Sequence, residues 1–73
     1  MLTAAQSRSA RGLLNWTQVQ LAEAAQVSIG TVRNFEVGRA TPIVATLNAI
    51  RSALEEAGVE FLDSGGVQPR QRS

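Results

Sequence analysis

The ten residues from Ser28 to Val37, SIGTVRNFEV, carry the side chains in this chain best suited to molecular recognition. Placed at 100° per residue, Thr31, Val32 and Phe35 gather on one side of a helix. Ile29, Gly30 and Arg33 gather on the other, with Asn34 at its edge. The first side can lie on a core. The second offers a guanidinium fork, an amide, an aliphatic group and a gap. These are the groups that read base edges in the major groove of DNA: arginine matches guanine O6 and N7, asparagine matches adenine N6 and N7, and an aliphatic side chain packs on a thymine methyl. Two plainer readings stay open. Ile29 also fits as a single surface hydrophobe, which is common, although contact with a thymine methyl is the favoured reading if the partner is DNA. Arg33 fits equally as a solvated arginine or a phosphate contact.

Other chemistries lack their residues. The chain has 73 residues with no cysteine and no histidine, so a zinc site of the Cys/His kind and a histidine-based catalytic triad are excluded. No other metal or cofactor is expected. The acids are scattered or clustered on one segment, and no nucleophile has an evident base, so an enzyme is the least favoured class. Net charge is +1, but it is unevenly distributed. Residues 1–54 hold five arginines against Glu23 and Glu36, residues 55–63 hold four acids, and Arg70 and Arg72 follow. That asymmetry suits a phosphate-facing surface with acids turned away from it, and is equally compatible with ordinary surface charge. No apolar run approaches the roughly 20 residues of a membrane span. Met1–Ala4 lacks the pattern of a signal peptide. A soluble, cytoplasmic protein is expected, and the absence of cysteine fits a reducing compartment.

A chain of this length buries only roughly 60% of its unfolded surface, so its elements must be well specified. Thr3 is placed to cap a first helix to Leu14, with Gln6 completing a capping box and Asn15 ending it. That helix is poor in apolar residues and contains Gly12. Thr17 and Gln20 form a second box, and Trp16 and Leu21 have the spacing of a hydrophobic staple. This second helix ends near Ala24 or Ala25, and Val27 is the expected buried residue of the corner. Ser28 caps the third helix and Gly38 stops it. Thr41-Pro42 then reads as N-cap and first residue of a fourth helix, Pro42 to Ala57. Its apolar stripe is Ile43, Val44, Leu47, Ile50, Leu54 and Ala57. Beyond Gly58 the period changes. Residues 59–62 are extended, 63–66 turn, and Val67-Gln68 returns as a strand cut off by Pro69, with Arg70 to Ser73 frayed.

The run L14-N15-W16-T17-Q18-V19-Q20-L21-A22-E23-A24-A25 resembles the opening of the Cro/C1-type (XRE family) helix-turn-helix. The continuation V27-S28-I29-G30-T31-V32-R33-N34-F35-E36-V37-G38-R39 is similar to its recognition helix and following loop. The likeness covers roughly residues 3–58 and rests on W-T-Q, the L-A pair, V-S-x-x-T-V and F-E-x-G-R occurring together at the right spacing. It implies duplex DNA as partner, usually bound by a dimer. It implies a phosphate contact at Gln18 beside Thr17. Ser28, Ile29 and Gly30 would open the recognition helix, with Arg33 and Asn34 further along, and Arg39 and Thr41 would touch backbone from the loop. It also implies a structural ion pair between Arg11 and Glu36. Two positions depart from the pattern. Gln26 stands where glycine usually forms the corner, and Ser7 where an aliphatic residue usually fills the core. Both lead us to expect modest stability.

The expected fold is therefore all-α, a compact four-helix, lambda-repressor-like helix-turn-helix domain over residues 1–58. Residues 59–73 form a short extended or β-hairpin tail that could pair between two chains. The expected function is sequence-specific binding of a pseudo-palindromic operator by a homodimeric transcriptional regulator, a repressor. The alternative is a DNA-binding antitoxin with a toxin partner, and a purely protein-binding helical module stands third.

Overall fold

Three of the four helices begin at a side-chain hydroxyl. In the computed structural model, which describes residues 1–70, Thr3 Oγ1 accepts from the Gln6 amide at 3.1 Å while Gln6 Oε1 accepts from the Thr3 amide at 2.9 Å. Thr17 and Gln20 repeat this reciprocal box at 3.1 and 2.8 Å. Ser28 Oγ accepts from the Thr31 amide at 3.1 Å. Each cap satisfies amides that a helix start otherwise leaves unpaired. The resulting helices are α1 (Ala4–Leu14), α2 (Gln18–Ala25), α3 (Ile29–Glu36) and α4 (Val44–Glu56).

The helix ends are equally local. Asn15 closes α1 in the left-handed region at φ 56°, and the Trp16 amide reaches back to the Arg11 carbonyl. Gln26 closes α2 at φ 59° and ψ 43°, with the Val27 amide on the Ala22 carbonyl at 3.0 Å. The corner thus needs the conformation that glycine adopts freely, and glutamine holds it at a cost of about 1–2 kcal/mol. Gly38, at φ 80°, closes α3 and returns the Arg39 and Ala40 amides to the Asn34 carbonyl.

That return alters the expected start of α4. The loop is tied to the end of α3, and Ile43 remains extended at φ −63° and ψ 160°. The helix begins at Val44 with no side-chain cap, so neither Thr41 nor Pro42 opens it. Ile43 and Val44 consequently leave the apolar stripe and stand 73% and 58% exposed. Leu47, Ile50 and Leu54 keep their places and are buried. They meet Leu21, Ala22 and Ala25 of α2, Val32 and Phe35 of α3, and Ala10 of α1 in one core that also takes in Leu2 and Val59. Val27 lies half-buried at its edge, together with Leu14 and Trp16.

The tail is a hairpin of β1 (Val59–Phe61) and β2 (Val67–Pro69). The strands are antiparallel, with Val59 opposite Pro69, Glu60 opposite Gln68 and Phe61 opposite Val67. Pro69 does not cut the return strand. Bonds from Leu62 N to Gly66 O and from Arg70 N to Gly58 O bracket the ladder, so alternation puts Pro69 at a non-hydrogen-bonded position where its missing N–H is not needed. Arg70 is therefore tied down rather than frayed, while residues 71–73 of the expected frayed end lie outside the described residues. The hairpin packs on α1 and α4 of its own chain. Val59 is fully buried, Gln6 Nε2 donates to the Gly65 carbonyl at 3.2 Å, and the Arg51 guanidinium lies 4.9 Å from the centre of the Phe61 ring. No helix among the described residues is long and apolar enough to cross a membrane.

Candidate nucleic-acid interface

The back of α3 is locked in place. Val32 and Phe35 are in the core, and Glu36 is buried with a side chain only 1% exposed. A buried carboxylate is costly unless it is paired and hydrogen-bonded. Arg11 pairs with it, Nη2 to Oε1 at 2.6 Å and Nε to both oxygens at 3.1 and 3.0 Å. Ser7 Oγ donates to Oε2 at 2.6 Å and Gln18 Nε2 donates to Oε1 at 3.2 Å. Arg8 donates to the Glu36 carbonyl, and Arg11 Nη1 to the Trp16 carbonyl at 3.0 Å. Burial pushes the Glu36 carboxyl upward, but the hydrogen bonds from Arg11, Ser7 and Gln18 outweigh it and hold it below the usual carboxylate range. The hydrogen bond to Glu36 likewise raises Arg11, against a smaller opposing effect of burial. Among the described residues no buried side-chain nitrogen or oxygen lacks a partner.

Ser7 thus trades the apolar contacts of an aliphatic residue for a hydrogen bond to the buried carboxylate. The aliphatic residue expected there would leave Oε2 without its shortest hydrogen bond. The sequence held a signal for this, since Ser7 lies one helical turn before Arg11 and on the same face. Gln18 also differs from a free surface anchor: it is half-buried and its amide is engaged from within.

The front of α3 is open. A cleft of about 430 Å³ is lined by Ser28, Gly30, Thr31 and Asn34 from the helix and its cap, and by Ala40, Thr41, Pro42, Ile43 and Thr46 from the loop and α4. Four of the expected residues, Ser28, Gly30, Asn34 and Thr41, therefore meet on one concavity. A Cβ at Gly30 would meet only Ser28 Oγ at 3.9 Å, so the protein itself does not require glycine there. Arg33 and Arg39 are exposed and form no ion pair among the described residues. Thr17 is exposed at the start of α2. Ile29 is only half-buried but packs against the core, so less of it faces outward than helical spacing implied. Two hydroxyl-bearing residues outside the expected set also line the cleft. Thr31, expected on the core side, turns its hydroxyl to Ser28 Oγ at 2.8 Å and lines the cleft. Thr46 joins only because the loop brings the first turn of α4 alongside α3, and nothing in its local sequence announces this.

A capped helix, a left-handed corner at Gln26, and a second capped helix with a buried back and an open front define a helix-turn-helix DNA-binding domain. The helix-turn-helix family model matches residues 8–61, well over half of the chain. The protein belongs to the Cro/C1-type (XRE) helix-turn-helix family, and DNA binding follows from that membership. Comparison with curated proteins returned no match.

Proposed function

We propose that this protein is a sequence-specific transcriptional regulator, a repressor, that binds duplex DNA as a homodimer with α3 in the major groove. The observation that carries this reading is the open front of α3. Arg33 is exposed, and Gly30 and Asn34 border a concave surface, while Val32, Phe35 and Glu36 form the buried back. In the proposed complex Arg33 reads guanine O6 and N7, Asn34 reads adenine N6 and N7, and the outward part of Ile29 touches a thymine methyl. Ser28 and Gly30 allow close approach. Thr17, Gln18, Arg39 and Thr41 contact phosphates and set register without carrying sequence information. A second copy places its α3 one helical turn away, about 34–36 Å along the duplex. Exposed Ile43 and Val44 offer apolar contact to that copy. Occupancy of the operator then excludes polymerase.

Selection of bound sites from random duplexes tests the proposal. The expected result is an inverted repeat with half-sites about 10–10.5 base pairs apart, centre to centre. Repeating the selection with Arg33→Ala should relax preference at one position per half-site. Uniform weakening across all sequences would assign Arg33 to a phosphate instead. No enrichment of any sequence would reject sequence-specific recognition.

A further inference from the structure

Glu36 is buried, yet one of its hydrogen bonds leads outward. Gln18 is the first residue of α2, half-buried beside exposed Thr17, and its Nε2 donates to Glu36 Oε1 at 3.2 Å. An ionised carboxylate only accepts, so this contact decides which end of the Gln18 amide turns inward. The NH2 group lies toward Glu36 and spends one of its two hydrogens there. Among the described residues the second hydrogen has no partner. We infer that Glu36 is a positioning residue for DNA binding: by accepting one N–H of Gln18 it holds the other N–H ready for a phosphate oxygen. This inference rests on the DNA-binding reading and on a phosphate contact at Gln18.

The charges permit it. A bare carboxylate behind a phosphate contact would repel the phosphate. Here Arg11 engages both carboxylate oxygens, and Ser7 adds a third donor, so the anion is neutralised where it stands. The network therefore joins α1, α2 and α3 through one side chain and ends at the start of α2. A free surface glutamine must be immobilised when it binds, whereas Gln18 is already held in the folded protein, which favours affinity by preorganisation.

The test is a mutant cycle read by binding to a mixed-sequence duplex at low salt, with folding checked by circular dichroism. Gln18→Ala is measured in the native protein and in the Arg11→Met/Glu36→Met background. Removing both members of the buried pair together leaves no unpaired charge, and such replacements are often tolerated. In the native protein, losing a hydrogen bond to phosphate should weaken binding about tenfold. In the double-Met background the same change should cost less than about twofold, because an unheld glutamine contributes little. Equal costs in both backgrounds would overturn the inference and leave Glu36 a folding role only. A second measurement needs no variant. In NMR spectra of the native protein, one Gln18 side-chain amide proton should exchange slowly and the pair should shift on adding duplex; two protons exchanging as in free glutamine would overturn it. If the native protein binds no duplex at low salt, the DNA-binding reading itself fails, and that outcome is recognised before any variant is made.

Discussion

Replacing Arg11 by methionine removes the main partner of a buried charge while keeping most of the side chain's bulk. Glu36 would retain Ser7 Oγ and Gln18 Nε2 but lose the guanidinium that contacts both of its oxygens. Breaking a buried pair from one side costs about 3–5 kcal/mol. The Arg11 side chain is 19% exposed, so the lower end, about 3 kcal/mol, is the better expectation. At about 0.05–0.15 kcal/mol per residue, a domain of this size has roughly 4–11 kcal/mol in all. The loss is thus a large share of the total and corresponds to a Tm lower by about 12–24 °C. The pH dependence should change sign as well. In the native protein the folded Glu36 carboxyl lies below its ordinary value near 4.5. Its stabilising contribution is therefore present above that value and is lost as pH falls through the lower, folded one. In Arg11→Met burial still disfavours the charged form, but the strongest opposing contact is gone, so the folded value should rise above the ordinary one. Stability should then be greatest below the ordinary value and fall as pH rises through the raised one. Urea denaturation followed by circular dichroism from about pH 3 to 7.5 reads both effects. A loss under about 1 kcal/mol at neutral pH, or a variant that weakens on acidification in parallel with the native protein, would refute the account of Glu36 as a buried, partner-dependent charge.

Three further substitutions test other parts of the structure. Ser7→Ala should destabilise by about 1.5–3 kcal/mol, since a hydrogen bond to a charged group is lost; combined with Arg11→Met it should be non-additive, and denaturation of both single variants and the double variant checks this. Gln26→Gly should raise stability by about 0.5–1 kcal/mol by relieving the left-handed corner, less than the full strain because glycine loses more entropy on folding, with DNA affinity unchanged. Gly30→Ala should stabilise α3 by up to about 1 kcal/mol, because the added methyl meets only Ser28 Oγ, yet should weaken specific DNA binding by obstructing close approach; thermal melts and binding isotherms on the same sample should move in opposite senses.

Much of this molecule was legible because it is written in interactions three or four residues long. Thr3, Thr17 and Ser28 announce their helices through contacts with Gln6, Gln20 and Thr31, and Asn15 and Gly38 mark the ends of α1 and α3. A cap needs only its own turn, so no distant partner can overrule it cheaply. The buried faces of α3 and α4 follow largely from helical spacing, with exceptions at Ile29 and Thr31 and at the start of α4. There the Asn34 carbonyl drew in the loop amides and delayed the helix past Pro42, exposing Ile43 and Val44.

What the tertiary structure decided is where polar side chains spend their hydrogen bonds. Family resemblance pointed to Arg11 and Glu36, but not to Ser7 and Gln18 as the additional donors to the same carboxylate. Nor could local sequence say that Thr46 would line the same cleft as Thr31 and Asn34, or that Pro69 would fall where the ladder needs no donor. For Ser7 and Gln18 the physical reason is the buried carboxylate of Glu36. A buried charge or an open lone pair recruits whichever donors the fold brings within about 3 Å, and those donors come from different helices. The sequence by itself determined the four helices, most of their ends and the outward position of Arg33. Only the packing of α1, α2 and α3 around Glu36 decided that Gln18, at the start of α2, is tied to the same buried charge that anchors α3.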